Sequence, residues 1–318
     1  MSAIRGNKLF LLALTAISAS LLYSGCFAGN YGGFQFGEEA PLIPVSEIYS
    51  GGPPKDGIPA IDKPRFHPAD EERERTDDAR VLGLVQNGIA KAYPIAIMNW
   101  HEIVNDRFGD QQVVVTFCPL CGSGVAYQAT HGGQRLSFGV SGLLYNSDVL
   151  LYDRQTESLW SQILSQAVTG PMRGTKLKML PLTHTSWLDW KLRHPDTQVL
   201  SRPTGFKRDY SRNPYAGYEN EAGIYFPVKH KSGRYHPKER VLGLEVDGHY
   251  KAYPFAELSR TEGDIEDHFI GKQFSIQYDD EHRSGRVFRS DGVEVPTITS
   301  FWFAWYAFHP ETEVYTAD

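Results

Sequence analysis

Cysteine is scarce in this chain, three residues among 318. One of them, Cys26, closes an N-terminal apolar run, so only Cys118 and Cys121 stand in the body of the sequence. A structural zinc ion takes four ligands, so two sulfurs cannot complete a site and His, Asp or Glu would have to join them. Other signatures are missing too. The chain has no Gly-rich phosphate loop, no His-Glu-x-x-His and no Gly-x-Ser-x-Gly elbow, since Phe138-Gly139-Val140-Ser141-Gly142 misplaces its serine. No nucleotide cofactor is expected, and hydrolase readings fall away. Net charge is -6 and no basic patch offers itself to nucleic acid. Apolar content of 41% and charged content of 22% exclude a disordered chain.

The first 25 residues read as a secretory leader, with Arg5 and Lys8 ahead of an apolar stretch from Leu9 to Tyr23 that is too short for a convincing membrane span. Leu22-Tyr23-Ser24-Gly25-Cys26 resembles a bacterial lipobox, with Tyr23 where an aliphatic residue is usual. The expectation is a lipid on Cys26, a membrane partner through that lipid, and an extracytoplasmic location, at the outer membrane or periplasmic face where two membranes exist. Soluble secretion and an uncleaved anchor are the alternatives. Export makes a Cys118–Cys121 disulfide available without requiring it.

What is present in abundance is repetition. Val81-Leu82-Gly83-Leu84 … Gly88 … Lys91-Ala92-Tyr93-Pro94 … Ala96 returns as Val241-Leu242-Gly243-Leu244 … Gly248 … Lys251-Ala252-Tyr253-Pro254 … Ala256, ten identities in sixteen positions. Trp187, Trp190, His194-Pro195, Thr197 and Val199 return as Trp302, Trp305, His309-Pro310, Thr312 and Val314. The sequence therefore reads as an internal duplication. Asn87-Gly88 and Asp247-Gly248 each predict a type I′ hairpin turn. Pro94 and Pro254 suit a helix start, the spacing predicts a helix over Ile95 to Val104, and Gln112 to Phe117 reads as the strand leading to Cys118. The Trp pairs, three apart, predict a helix face packed in a core, and each His-Pro a helix stop.

The first copy holds an insertion of about forty-five residues with strand signals at Gly124–Thr130 and Arg135–Val140 around His131-Gly132-Gly133, at Leu143–Tyr152, and at Leu159–Ile163. The fold class is α+β, mainly β: a duplicated hairpin–helix–strand unit whose first copy carries an extra β-rich insertion. The divisions are 1–25 leader, 26–80 tether and Gly/Pro-rich strap, 81–200 first repeat, 201–240 Tyr-rich connector, and 241–318 second repeat. The second copy has Tyr278-Asp279-Asp280-Glu281-His282 where the first has Phe117 to Cys121, so the thiols belong to one copy alone.

Several long motifs carry a resemblance. Gly51-Gly52-Pro53-Pro54 … Gly57-Ile58-Pro59-Ala60-Ile61, His101-Glu102-Ile103-Val104-Asn105-Asp106, Cys118-Pro119-Leu120-Cys121-Gly122-Ser123, Phe138 to Asp148 and Tyr152 to Gln162 are similar to the bacterial and archaeal domain-of-unknown-function family 3179. The resemblance brings no settled reaction. It implies that the cysteine region and the flanking motifs belong together.

Chemistry is therefore read from the residues. Cys-Pro-x-Cys-Gly is the sequence of a metal knuckle, with Gly122 able to take the left-handed conformation that closes the turn. A thioredoxin-type dithiol wants its first cysteine at a helix N-terminus, and Gly122 to Tyr127 is a poor helix. Zinc and copper stand level as the metal, because thiolates also suit copper(I). His101 is the candidate third ligand by motif, although a simple antiparallel helix and strand would carry Cys118 past it by more than about 10 Å. His131 reads as a turn residue, and His184 as a loop residue before Trp187. Asn146, Asp148, Asp153 and Arg154 are pocket candidates; the bland alternative makes Asp153 a turn cap and pairs Arg154 with Glu157. The tyrosines of the connector either line a site or brace the halves. Three readings stay open: a membrane-tethered protein binding zinc or copper, a thiol-disulfide or metal-assisted oxidoreductase, and a non-catalytic envelope module with a structural disulfide. The protein or small-molecule partner is left unknown.

Overall fold

In a computed structural model the described residues are 30–36 and 39–317; the leader and Cys26 lie outside them. Strands hold 41% of the chain and helices 12%, which makes it mainly β, as expected. Among the described residues no helix is long and apolar enough to cross a membrane.

Both hairpins form with the same register. Arg80–Gln86 pairs with Ile89–Pro94 through Val81↔Pro94, and Arg240–Val246 pairs with His249–Pro254 through Val241↔Pro254. Their turns carry Asn87 and Gly88, or Asp247 and Gly248, at positive φ, as a type I′ turn requires. Pro94 and Pro254 then cap the short helices Ile95–His101 and Phe255–Leu258. Downstream, Leu182–Ser186 lies beside the first strand of one hairpin and Ile298–Phe301 beside that of the other. Helices Trp187–Arg193 and Trp302–Phe308 follow, and Val199↔Ala92 and Val314↔Ala252 close each unit as parallel pairs. In each unit an indole N–H bonds a threonine hydroxyl seven residues on: Trp190 to Thr197 at 2.9 Å and Trp305 to Thr312 at 3.0 Å. Each unit also buries a Lys–Asp pair next to a tyrosine, Lys91–Asp106 with Tyr93 and Lys251–Asp267 with Tyr253.

The two units sit in different sheets. The first hairpin belongs to a five-stranded sheet, whereas the second lies in an eight-stranded sheet. The cysteine hairpin, Gln111–Cys118 with Ser123–Gln128, joins the second unit's sheet through Thr299↔Gly124. Its turn therefore lies at the seam between the units. The insertion builds a separate five-stranded sheet around Phe138–Tyr145 and Asp148–Asp153, and the Gly/Pro strap is stitched along it by Gly51 N–H to Gly142 O at 2.8 Å and Asp56 N–H to Val140 O at 2.9 Å.

Three local expectations are corrected. The helix stops at His101, because Glu102 takes the left-handed conformation (φ 57°) and β-branched Ile103 and Val104 open the strand Ile103–Phe108. His184 lies on the edge strand Leu182–Ser186, where it pairs with Leu82, and it is buried. His131-Gly132-Gly133 turns only a two-residue ribbon, and Phe138 onward departs into the insertion sheet.

Candidate metal centre

Two tight turns face each other at the seam. The first is closed by Cys118↔Ser123, and Gly122 inside it sits at φ 60° with the Phe301 ring so close that a Cβ would lie 2.9 Å from it. The Phe301 N–H holds the Cys121 carbonyl at 2.8 Å, and the Ser123 hydroxyl donates to Gln162 Oε1 at 2.5 Å, which fixes the turn from both sides. The second turn is closed by Tyr145↔Asp148, with Asn146 (φ 51°) and Ser147 (φ 65°) left-handed. A serine at positive φ is uncommon and marks a turn held by its surroundings. Asn146 does the holding: its carbonyl oxygen accepts the Lys229 N–H at 2.8 Å, and its amide donates to Ala307 O at 3.3 Å.

Both cysteines are free and buried, and their thiols point at the Ser147 carbonyl, at 3.3 Å from Cys121 and 3.8 Å from Cys118. Asp148 comes with that turn. Its Oδ2 accepts from the Ser161 hydroxyl at 3.2 Å and from the Ile163 N–H at 3.1 Å, while its buried Oδ1 has no partner among the described residues. One ligand atom from each of Cys118, Cys121 and Asp148 lies within 4.8 Å of the other two. Buried, unpaired acceptors are rare, and one beside two thiols is the arrangement a cation would satisfy.

Burial governs the charge here. It raises Asp148 to about 7, against the pull of the Ile163 N–H and the Ser161 hydroxyl. Glu102 is raised to about 8 by burial and by the Asp148 charge. The Cys121 thiol is pushed well up by burial, by its hydrogen bond with Cys118, and by the Asp148 and Glu102 carboxylates. Buried acids raised in this way hold their protons to higher pH than usual, and metal binding would release them. Tyr215 and Tyr218 of the connector lie near enough for the Glu102 and cysteine charges to add to the burial that raises both phenols.

The sequence candidates divide between this cluster and elsewhere. Asn146 and Asp148 form the second turn. His101 lies near the cysteine end of its neighbouring strand, because Phe117 N–H bonds Glu102 O at 2.8 Å, yet its ring is turned away: Nδ1 meets Pro59 O at 2.7 Å and Nε2 meets Tyr210 OH at 2.6 Å. Asp153 stands at the far end of the strand Asp148–Asp153, roughly 17 Å along by strand rise, and there accepts from the Thr156 N–H at 2.6 Å and the Trp160 indole at 2.9 Å. Arg154 pairs with Asp62 at 2.6 Å, whereas Glu157 pairs with Lys55, which corrects the expected Arg154–Glu157 pair. Glu102 escaped the sequence reading. Its one signal was a carboxylate lodged between a helix end and two β-branched residues.

No curated protein and no solved structure matches this chain. A family model described as a protein of unknown function, DUF3179, matches residues 55–292, a span that takes in the strap from Lys55 onward, both cysteines, the Asp148 turn and most of the second unit. The chain belongs to the DUF3179 family.

Proposed function

We propose that this protein is an extracytoplasmic, lipid-anchored protein that holds one zinc ion between Cys118, Cys121 and Asp148. The carrying observation is the set of three ligand atoms within 4.8 Å, one of them a buried carboxylate oxygen without a partner. The carboxylate favours zinc over copper(I), which prefers sulfur alone. Charge argues the same way. Two thiolates and a carboxylate leave one net negative charge around a dication and two around copper(I), and each uncompensated buried charge is costly. Three protein ligands leave the fourth tetrahedral position open, as in zinc sites that bind water or substrate. A dithiol oxidoreductase is less well supported, since the first thiol wants a helix N-terminus and Cys118 opens a turn between two strands. The recurring hairpin, Trp helix and parallel closing strand support descent by internal duplication, with the ion site acquired by the first copy alone.

Metal analysis with thiol counting tests the reading on full-length protein purified without chelator. About one zinc per chain is expected, lost in Cys118→Ser with Cys121→Ser. Stoichiometric copper would retain the site and change the ion. Metal-free protein with two reactive thiols, or with none because they are bridged, would sink it.

A further inference from the structure

Against the cysteine turn lies a cavity of ≈ 150 Å³. None of its lining residues belongs to the thiol–carboxylate cluster, although Gly122 of the turn forms part of its wall. Arg80 and Arg240 both line it, and they hold the same place in the two hairpin units, each the first residue of its hairpin. The packing of the units thus brings two guanidinium groups to one cavity.

The partners of these groups do not balance their charge. Arg80 donates to the carbonyls of His184, His282 and Arg283, which satisfy its N–H groups without neutralising it. Arg240, 9% exposed, donates from Nη2 to Glu219 Oε2 at 3.1 Å, and its Nη1 has no acceptor among the described residues. His184, 3% exposed, lines the same cavity with neither ring nitrogen partnered, and the buried Tyr218 hydroxyl is equally alone. The one carboxylate in the wall, Glu219, is itself half exposed. Burial, then Arg240 and Arg283, lower Arg80 to about 9, and burial, then Arg80, Arg240 and Arg283, push His184 well below the usual histidine range. Water would occupy the unpartnered donors, but it cannot offset the guanidinium charge that Glu219 leaves over. An anion does both.

We propose that this cavity binds a small oxyanion of the phosphate, sulfate or short-carboxylate class, held between Arg80 and Arg240 with His184 and Tyr218 as neutral donors. The free Nη1 of Arg240, with the Arg80 charge beside it, suits an ion that offers acceptor oxygens, and the neighbouring Phe117 and Phe301 rings limit the space to a small one.

Calorimetric titration of full-length protein with inorganic phosphate, sulfate or acetate, at ionic strength held constant with chloride, tests this. Saturable binding of at least one anion is expected, and which anion binds identifies the source. Arg240→Gln should weaken it about tenfold or more, as loss of a charge-assisted bond does, with zinc content unchanged. Tyr218→Phe removes only a hydroxyl that has no partner in the fold, so the protein folds and binding still weakens severalfold. Should Arg240→Gln fail to fold by near-UV circular dichroism, Tyr218→Phe decides. No saturable binding of any of the three anions, or unchanged affinity in Tyr218→Phe, would overturn the proposal, and neither result bears on the zinc reading.

Discussion

His309 stacks on Tyr250 with ring centroids 3.7 Å apart and lies 4.4 Å from the Trp305 ring. Burial, assisted by the Lys176 charge, lowers its pKa to about 3. A histidine depressed in the native state binds its proton more readily when the chain unfolds, so its contribution is intact above about pH 6.5 and is lost as pH falls from there toward 3. Between pH 7 and pH 5 the cost is about 2 kcal/mol from this group alone. His309→Phe keeps an aromatic ring on Tyr250 and removes the titration. Urea unfolding at the two pH values should show the wild type losing about 2 kcal/mol more than the variant; equal losses would mean that the ring is protonated without penalty. The repeated His-Pro thus does more than stop a helix. It seals the tryptophan that the helix carries, and His194 repeats the contact on Trp190 at 4.2 Å.

At the scale of elements, the glycine in each hairpin is set by that tryptophan. A Cβ on Gly243 would lie 2.2 Å from the Trp305 ring, and one on Gly83 2.1 Å from the Trp190 ring. Neither strand can retreat, because Gly243 is paired to Ala252 on one side and Ile298 on the other. Gly243→Ala should therefore destabilise the protein by about 1–3 kcal/mol, the cost of overpacking a fixed core. Trp305→Phe in the same chain should recover part of that loss in thermal melts, and an unshifted melting temperature in the single variant would show that the helix is free to move. These elements were legible in the sequence because their signals are local: Asn87-Gly88 and Asp247-Gly248 name the turn, and the tryptophan spacing names the helix. The end of the first helix was not legible. Ile103 and Val104 continue its apolar period, and only their pairing with Thr116 and Val115 makes them a strand. That shift moved Glu102 beside the cysteine strand and undid the distance argument over His101.

For the whole molecule, the candidate centre was half visible. Spacing marked Cys118 and Cys121, and the apolar flanks of Asn146-Ser147-Asp148 marked a buried polar run, but their meeting depends on sheets formed by distant segments. The proposed attachment to a membrane is a separate matter. Among the described residues no helix spans a bilayer, and loss of Arg5 and Lys8 with the leader would leave 30 basic residues against 38 acidic, a balance repelled by anionic lipid. The proposed attachment rests on the covalent lipid expected at Cys26, where burial of acyl chains would contribute about 0.8 kcal/mol per CH₂ and more than one chain is needed for stable anchoring. Growth of the expressing bacterium with labelled palmitate should label the wild-type protein and leave Cys26→Ser unlabelled. An unlabelled wild type would overturn the lipid anchor and leave soluble secretion or an uncleaved anchor. The proposed zinc and oxyanion sites would stand unchanged, because both are built from Arg80 and residues that follow it.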